Sequence, residues 1–292
     1  MSLFTGAATA LVTPFKEGKV DFNSFGKLIE MQIEQGIDGL VVCGTTGEAS
    51  TLTNEEHIET VEYVINKTAG RVPVIAGSGS NDTRQAIEMS KALEDAGADA
   101  LLLVTPYYNK CTQKGLITHY TAIADSINIP ALLYSVPART GVNISPFAVS
   151  QLCSHPNIAG IKEASGDMAQ VVEIAKYVDE DFDLYSGNDE IIVPVLSMGG
   201  KGAISVLANI APEHTSGMVH NYLNGQTDTA ARMQLFLKSL IDALFCEVNP
   251  IPVKAALHLM GIIELEYRLP LCPPEEESLD RIKRQMISCG LL

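Results

Sequence analysis

Residues 100–109 read ALLLVTPYYN. Five apolar residues follow one another without alternation, and the chain then turns polar at once. A run that short and continuous suits a strand buried on both faces, as in a parallel sheet covered by helices. The same figure recurs on either side of it, over 7–12, 39–42, 73–76, 131–134, 159–162, 183–185 and 202–204. Between these runs lie amphipathic segments. Residues 21–35 carry Phe25, Leu28, Ile29 and Ile33 at mostly helical spacing. Residues 53–67 open with Thr53 and, three residues on, Glu56, the pattern of a capping box. Residues 82–96 open on Asp82 and stop at Gly97. Further helices are predicted over 112–126, 145–153, 168–177 and 190–198.

Eight strand–helix units without a long linker predict an α/β fold, a (β/α)8 TIM barrel over residues 1–225. A doubly wound sheet is the structural alternative. Beyond residue 225 the strand pattern stops. Segments 227–245, 252–260 and 275–288 read as helices, so residues 226–292 form a C-terminal helical extension.

The 292 residues are 46% apolar, enough to bury a large core. With 35 acidic and 20 basic residues the formal charge is −15, which argues against nucleic acid or an anionic membrane as partner, because phosphates repel such a surface. Six cysteines are scattered without a CxxC pair, and the six histidines are dispersed. The cysteines read as reduced thiols, and no metal site is expected. The opening MSLFTGAATALVTPF lacks a basic stretch and is broken by Thr9, Thr13 and Pro14, so it is not read as a signal peptide. No apolar run approaches the roughly 18 residues of a spanning helix. A cytoplasmic, soluble protein is expected.

In a (β/α)8 barrel chemistry sits at the C-terminal ends of the strands. There the chain places CGTTGE (43–48), TPYYN (105–109), YSVPARTG (134–141), IKEAS (161–165) and YSGND (185–189). Lys162 follows Ala159, Gly160 and Ile161, so its stem should leave the inner wall of the barrel. Desolvation there favours a neutral amine, which can attack a ketone and form an imine. A lysine that snorkels to solvent, or pairs with Glu163, is the alternative. Thr45 and Thr46 offer hydroxyls and backbone N–H groups suited to a carboxylate, or they merely cap a tight turn. Tyr134 can relay protons, or it is a buried phenol with a satisfied hydroxyl. Arg139, between Pro137 and Gly141, can grip a carboxylate or brace its loop. Tyr107 and Tyr108 are adjacent and cannot both enter one pocket.

In order and at barrel spacing, GTTGE, PYYN, YxVPxRTG and GIKEASGD resemble the pyruvate-dependent class I aldolases, the family of the N-acetylneuraminate lyases and dihydrodipicolinate synthases. The likeness runs from GAATALVTPF to Glu247, Asn249, Pro250, Pro252 and Lys254. It implies a Schiff base between pyruvate and Lys162, with Thr45, Tyr134 and Tyr108 as a proton relay and Tyr108 supplied by a neighbouring subunit. It further implies that Thr46, Gly187 and Ile204 line the pyruvate pocket. Arg139 matches the synthases rather than the sugar-acid lyases. The implied reaction joins pyruvate to L-aspartate 4-semialdehyde, giving 4-hydroxytetrahydrodipicolinate on the diaminopimelate route to lysine. No cofactor is implied, since the imine is the electron sink, and the usual assembly is a homotetramer.

Several positions depart from the family pattern. Ser135, Ala138 and Cys111 replace the usual Asn, Gly or Ser, and Pro. Some family members bind lysine at a subunit interface. At the corresponding positions this chain has Ala49, Asn54, His57, Asn81, Gln85 and Tyr107. Gln85 replaces an acidic residue and Asn54 a His, which implies weak or absent inhibition by lysine.

Overall fold

In a computed structural model describing residues 2–292, eight parallel strands close into a barrel. They are β1 (Gly6–Ala10), β2 (Gly39–Val42), β3 (Val74–Gly77), β4 (Ala100–Val104), β5 (Ala131–Ser135), β6 (Ile158–Glu163), β7 (Asp183–Ser186) and β8 (Gly202–Ser205). Each pairs with its sequence neighbours, and β8 closes on β1 with Gly6 opposite Gly202 and Ala8 opposite Ile204. The helices between and after them are α1 (Phe22–Glu34), α2 (Asn54–Thr68), α3 (Thr83–Asp95), α4 (Gln113–Ala124), α5 (Pro146–Leu152), α6 (Met168–Ala175), α7 (Ile192–Ser197) and α8 (Pro212–Leu223). This is a (β/α)8 barrel. Three helices follow, α9 (Thr227–Leu244), α10 (Ile251–Leu259) and α11 (Glu276–Ser288).

Side chains alternate between two cores, as the pleat of a strand requires. Ala8, Val41, Ile75, Leu102, Leu132 and Ile204 fill the lumen. Leu40, Val42, Leu101, Leu103, Leu133 and Ile161 point outward and pack under the helices. The helices start where the sequence offers a cap. Asp21 accepts from the N–H groups of Asn23 and Ser24, Thr53 and Glu56 form a reciprocal capping box, and Asp82, Thr112, Ser145 and Asp167 each accept from the first turn that follows. At the N-terminal end of the lumen Phe4 stacks on Tyr185, with ring centres 4.3 Å apart, and the Tyr185 hydroxyl donates to the Phe4 carbonyl at 2.7 Å. That end is closed by packing, which leaves the C-terminal ends of the strands as the open mouth.

Three features depart from the sequence reading. Helix α8 completes the eighth unit, although its buried face is Pro212, Thr215, Ser216, Met218 and Val219 and so carries no aliphatic stripe. Phe15–Lys16 and Lys19–Val20 form a small antiparallel hairpin. Residues 137–140, read as loop, form one helical turn with Pro137 in its first position and Gly141 beyond it at φ +69°. Among the described residues no helix is long and apolar enough to cross a membrane.

Candidate active site

Lys162 is near the end of β6, with Tyr134 of β5 and Tyr185 of β7 as its register partners. It is 5% exposed, and its Nζ lies 4.4 Å from the centre of the Tyr134 ring. Among the described residues its ammonium has no hydrogen-bond or ion-pair partner. The alternative partner, Glu163, points to the other side of the strand. There it accepts from the Ser165 N–H at 2.9 Å, from the Ser165 hydroxyl, and from Gln170 Nε2 at 3.3 Å. Burial pushes the Glu163 carboxyl above its ordinary range. Gly187 packs against the lysine stem. A Cβ at that position would sit 3.1 Å from Lys162 Cε and 2.7 Å from the Ala164 Cβ, so glycine leaves the room the stem occupies. Ile204 is fully buried in the lumen.

The turn after β2 is bracketed by two non-glycine residues in the left-handed region, Cys43 at φ 52° and Glu48 at φ 54°. Such backbone is held only where its surroundings fix it. The turn closes through Gly47 N to Gly44 O and Glu48 N to Thr45 O, each 3.1 Å, and the Thr13 hydroxyl donates to Gly47 O at 2.7 Å. Among the described residues the N–H groups of Thr45 and Thr46 have no acceptor. Two such amides beside two hydroxyls make a small anion-binding concavity. A tight cleft joins Thr45 and Thr46 to Lys162 across Val41 and Leu102.

A larger cavity of about 650 Å³ opens over this cleft. Thr45, Tyr134 and Arg139 line one end, and Ala49, Asn54, His57, Gln85 and Tyr107 line the other. Glu88, one turn beyond Gln85 on α3, adds a carboxylate to that wall. Arg139 Nη2 donates to the Asn249 carbonyl at 2.8 Å. His57 is buried and its Nε2 hydrogen-bonds Gly77 O at 2.8 Å, while burial holds its ring below the ordinary histidine range. Asn81 lies outside the lining; its amide donates to the Tyr107 carbonyl at 3.1 Å and holds the loop. Tyr108 is 93% exposed at φ +69°, so within one chain it is not joined to the site. Ser135 is fully buried and points away from the lumen. Its hydroxyl donates to Asn143 at 3.0 Å and accepts from the Ile144 N–H at 3.2 Å.

Four residues with no role assigned from the sequence, Asn249, Lys254, Glu48 and Asp189, are buried around these groups. Asn249 donates from Nδ2 to the Thr46 hydroxyl oxygen at 3.0 Å. Lys254 and Glu48 form a fully buried ion pair at 2.5 Å, with the ammonium 4.3 Å from the centre of the Phe15 ring. Asp189 is buried and accepts from the N–H groups of Val206 and Leu207 at 3.1 and 2.8 Å. Burial raises its carboxyl, against the nearby charge of Lys162. The polar residues at the strand ends were the signal, but their partners lie far along the chain.

A buried amine without an ion pair or hydrogen bond among the described residues, near hydroxyls and a guanidinium at the mouth of a parallel barrel, has the chemistry of an imine-forming lyase. The model of the dihydrodipicolinate synthetase family matches residues 3–288, and the chain belongs to that family. It is 50% identical to a 4-hydroxy-tetrahydrodipicolinate synthase of Clostridium tetani over the full length of both chains. It is 51% identical to the enzyme of that name from Alkaliphilus oremlandii, over 98% of this chain and 100% of the relative. The dihydrodipicolinate synthase of Acinetobacter baumannii, solved in its chloride-inhibited form complexed with pyruvate, superposes with a TM-score of 0.96 at 45% identity over 99% of each chain.

Proposed function

We propose that this chain condenses pyruvate with L-aspartate 4-semialdehyde through a Schiff base on Lys162, giving 4-hydroxytetrahydrodipicolinate. The observation that carries the proposal is the Lys162 ammonium, 5% exposed and without an ion pair or hydrogen bond among the described residues, at the C-terminal end of β6. The family membership and the full-length likeness to synthases support the same reaction.

In this reading the Lys162 amine adds to the ketone of pyruvate and water leaves as the imine forms. The pyruvate carboxylate rests on the amides and hydroxyls of Thr45 and Thr46. The protonated imine withdraws electrons from the neighbouring methyl group, which loses a proton and becomes an enamine. The enamine carbon bonds to the aldehyde carbon of the second substrate, whose carboxylate is held by Arg139, and the aldehyde oxygen takes up a proton. The substrate's own amino group then displaces Lys162 and closes the ring. Tyr134 and Thr45 carry protons between these steps. Tyr108, exposed within one chain, completes the relay in a neighbouring copy, so the working form is an oligomer, a dimer of dimers. Gly187 and Ile204 shape the pocket around the imine.

The test is borohydride trapping with pyruvate, peptide mapping, and a coupled assay with L-aspartate 4-semialdehyde. A pyruvyl adduct on Lys162 together with turnover is the expected result. An adduct without turnover moves the second substrate to another aldehyde, and no adduct overturns the proposal.

A further inference from the structure

One residue touches both of the groups that the proposed reaction assigns to substrate carboxylates. The Asn249 side chain donates from Nδ2 to Thr46 Oγ1 at 3.0 Å, and its backbone carbonyl accepts from Arg139 Nη2 at 2.8 Å. Asn249 is 6% exposed, and its Oδ1 is buried without a partner among the described residues. The side chain therefore spends its polar capacity on Thr46 alone, at the cost of an acceptor left unpaired.

The direction of that bond has a chemical consequence. A hydroxyl has one proton and two lone pairs. Because Thr46 accepts from Asn249, its own proton is free to donate elsewhere. The cleft shared by Thr46, Thr45 and Lys162 is the space beside it. A carboxylate there only accepts hydrogen bonds, so a Thr46 proton spent on a neighbouring protein acceptor would be lost to it. A second tie fixes the same two segments. Lys254, whose N–H bonds back to Pro250 O at 3.0 Å, reaches Glu48, two residues beyond Thr46.

We propose that Asn249 is a positioning residue that keeps the Thr46 hydroxyl a donor toward the carboxylate of pyruvate. This rests on the reading that Thr46 binds that carboxylate. The test measures the pyruvate concentration that half-saturates borohydride labelling of Lys162, together with KM for the aldehyde, in N249A, T46V and the double variant of the full-length protein. N249A and T46V each raise the pyruvate half-saturation about tenfold, the loss of one ordinary hydrogen bond. The double variant is no worse than T46V, because the two residues act through one hydroxyl. KM for the aldehyde stays within about threefold in N249A, whose backbone still holds Arg139. N249D, which keeps the shape and replaces the donor by an acceptor, raises the half-saturation at least as much as N249A.

Multiplying effects in the double variant overturn the proposal. So does an unchanged half-saturation in N249A or N249D, or an equal rise in both substrate constants, which marks a loosened mouth. A T46V protein with normal pyruvate half-saturation overturns instead the reading of Thr46 itself.

Discussion

Lys162 and Tyr134 are register partners on adjacent strands, and the lysine ammonium lies 4.4 Å from the centre of the tyrosine ring. The ring covers the amine while the phenol hydroxyl stays free of hydrogen bonds among the described residues. Replacing Tyr134 by Phe keeps the ring and removes the proposed proton carrier. A Tyr134→Phe variant should bury Lys162 as before and lose about 10²- to 10⁴-fold in kcat, the usual worth of general acid–base catalysis. Steady-state kinetics beside the crystal structure of the variant check this; a kcat near that of the parent assigns the proton to another group.

The Glu48–Lys254 pair is fully buried, and burial holds the Lys254 ammonium below the ordinary lysine range. Removing one partner strands the other charge away from water. Lys254→Met should cost about 3–5 kcal/mol of stability, whereas Glu48→Gln combined with Lys254→Met should recover much of that loss. Guanidinium unfolding midpoints of the parent and both variants measure it, and a double variant weaker than Lys254→Met rules the explanation out.

Glu56 accepts two hydrogen bonds from Arg268, from Nη1 at 2.7 Å and Nη2 at 2.6 Å. They hold its carboxyl down at about 2, against an ordinary value of about 4.3. A carboxyl depressed in the folded state stabilises above its unfolded value and loses that contribution as pH falls through the folded one. Glu56→Gln should lower Tm at pH 7 by about 2 °C, allowing for partial exposure of the pair. The gap should close between about pH 4.3 and 2. Melting curves across that range decide; a gap that widens on acidification contradicts the assignment.

At the far end of the cavity Gln85 is neutral and accepts from the Ser80 hydroxyl at 3.3 Å. We propose that lysine inhibits weakly or not at all, because the carboxylate that would pair its ammonium is missing at this position. Gln85→Glu should strengthen lysine binding by roughly 1 to 3 kcal/mol. Calorimetry with lysine measures both proteins. A sub-millimolar constant in the parent overturns the proposal and turns attention to Glu88, which lines the same cavity.

Much of this was legible in the chain. All eight strands were placed because strands buried on both faces are written as short apolar runs, and the polar residues that follow them mark the mouth. The capping box at Thr53 and Glu56 appeared where four letters announced it. What escaped had physical causes. Helix α8 buries Thr215 and Ser216 where a stripe of Leu or Ile would have signalled it. The hairpin strands at Phe15 and Lys19 are two residues each, too short for any period to register. Ser135 stood out as a departure from the usual Asn, but only strand alternation shows that its hydroxyl turns outward, to Asn143 and the Ile144 N–H. Asn249 and Lys254 were visible as letters, but their partners Thr46 and Glu48 stand more than 200 residues earlier, and no local pattern encodes such a meeting.

That separation also sets an order of assembly. A ribosome makes the chain from its amino end, so the whole barrel, with Lys162 in it, is synthesised before Asn249 and Lys254 exist. Until they arrive, Glu48 has no cation to meet it and the Thr46 hydroxyl lacks its Asn249 donor. On the proposed reading, the amine of Lys162 is thus made early, and the seat for its substrate is finished late, by contacts from the far end of the chain.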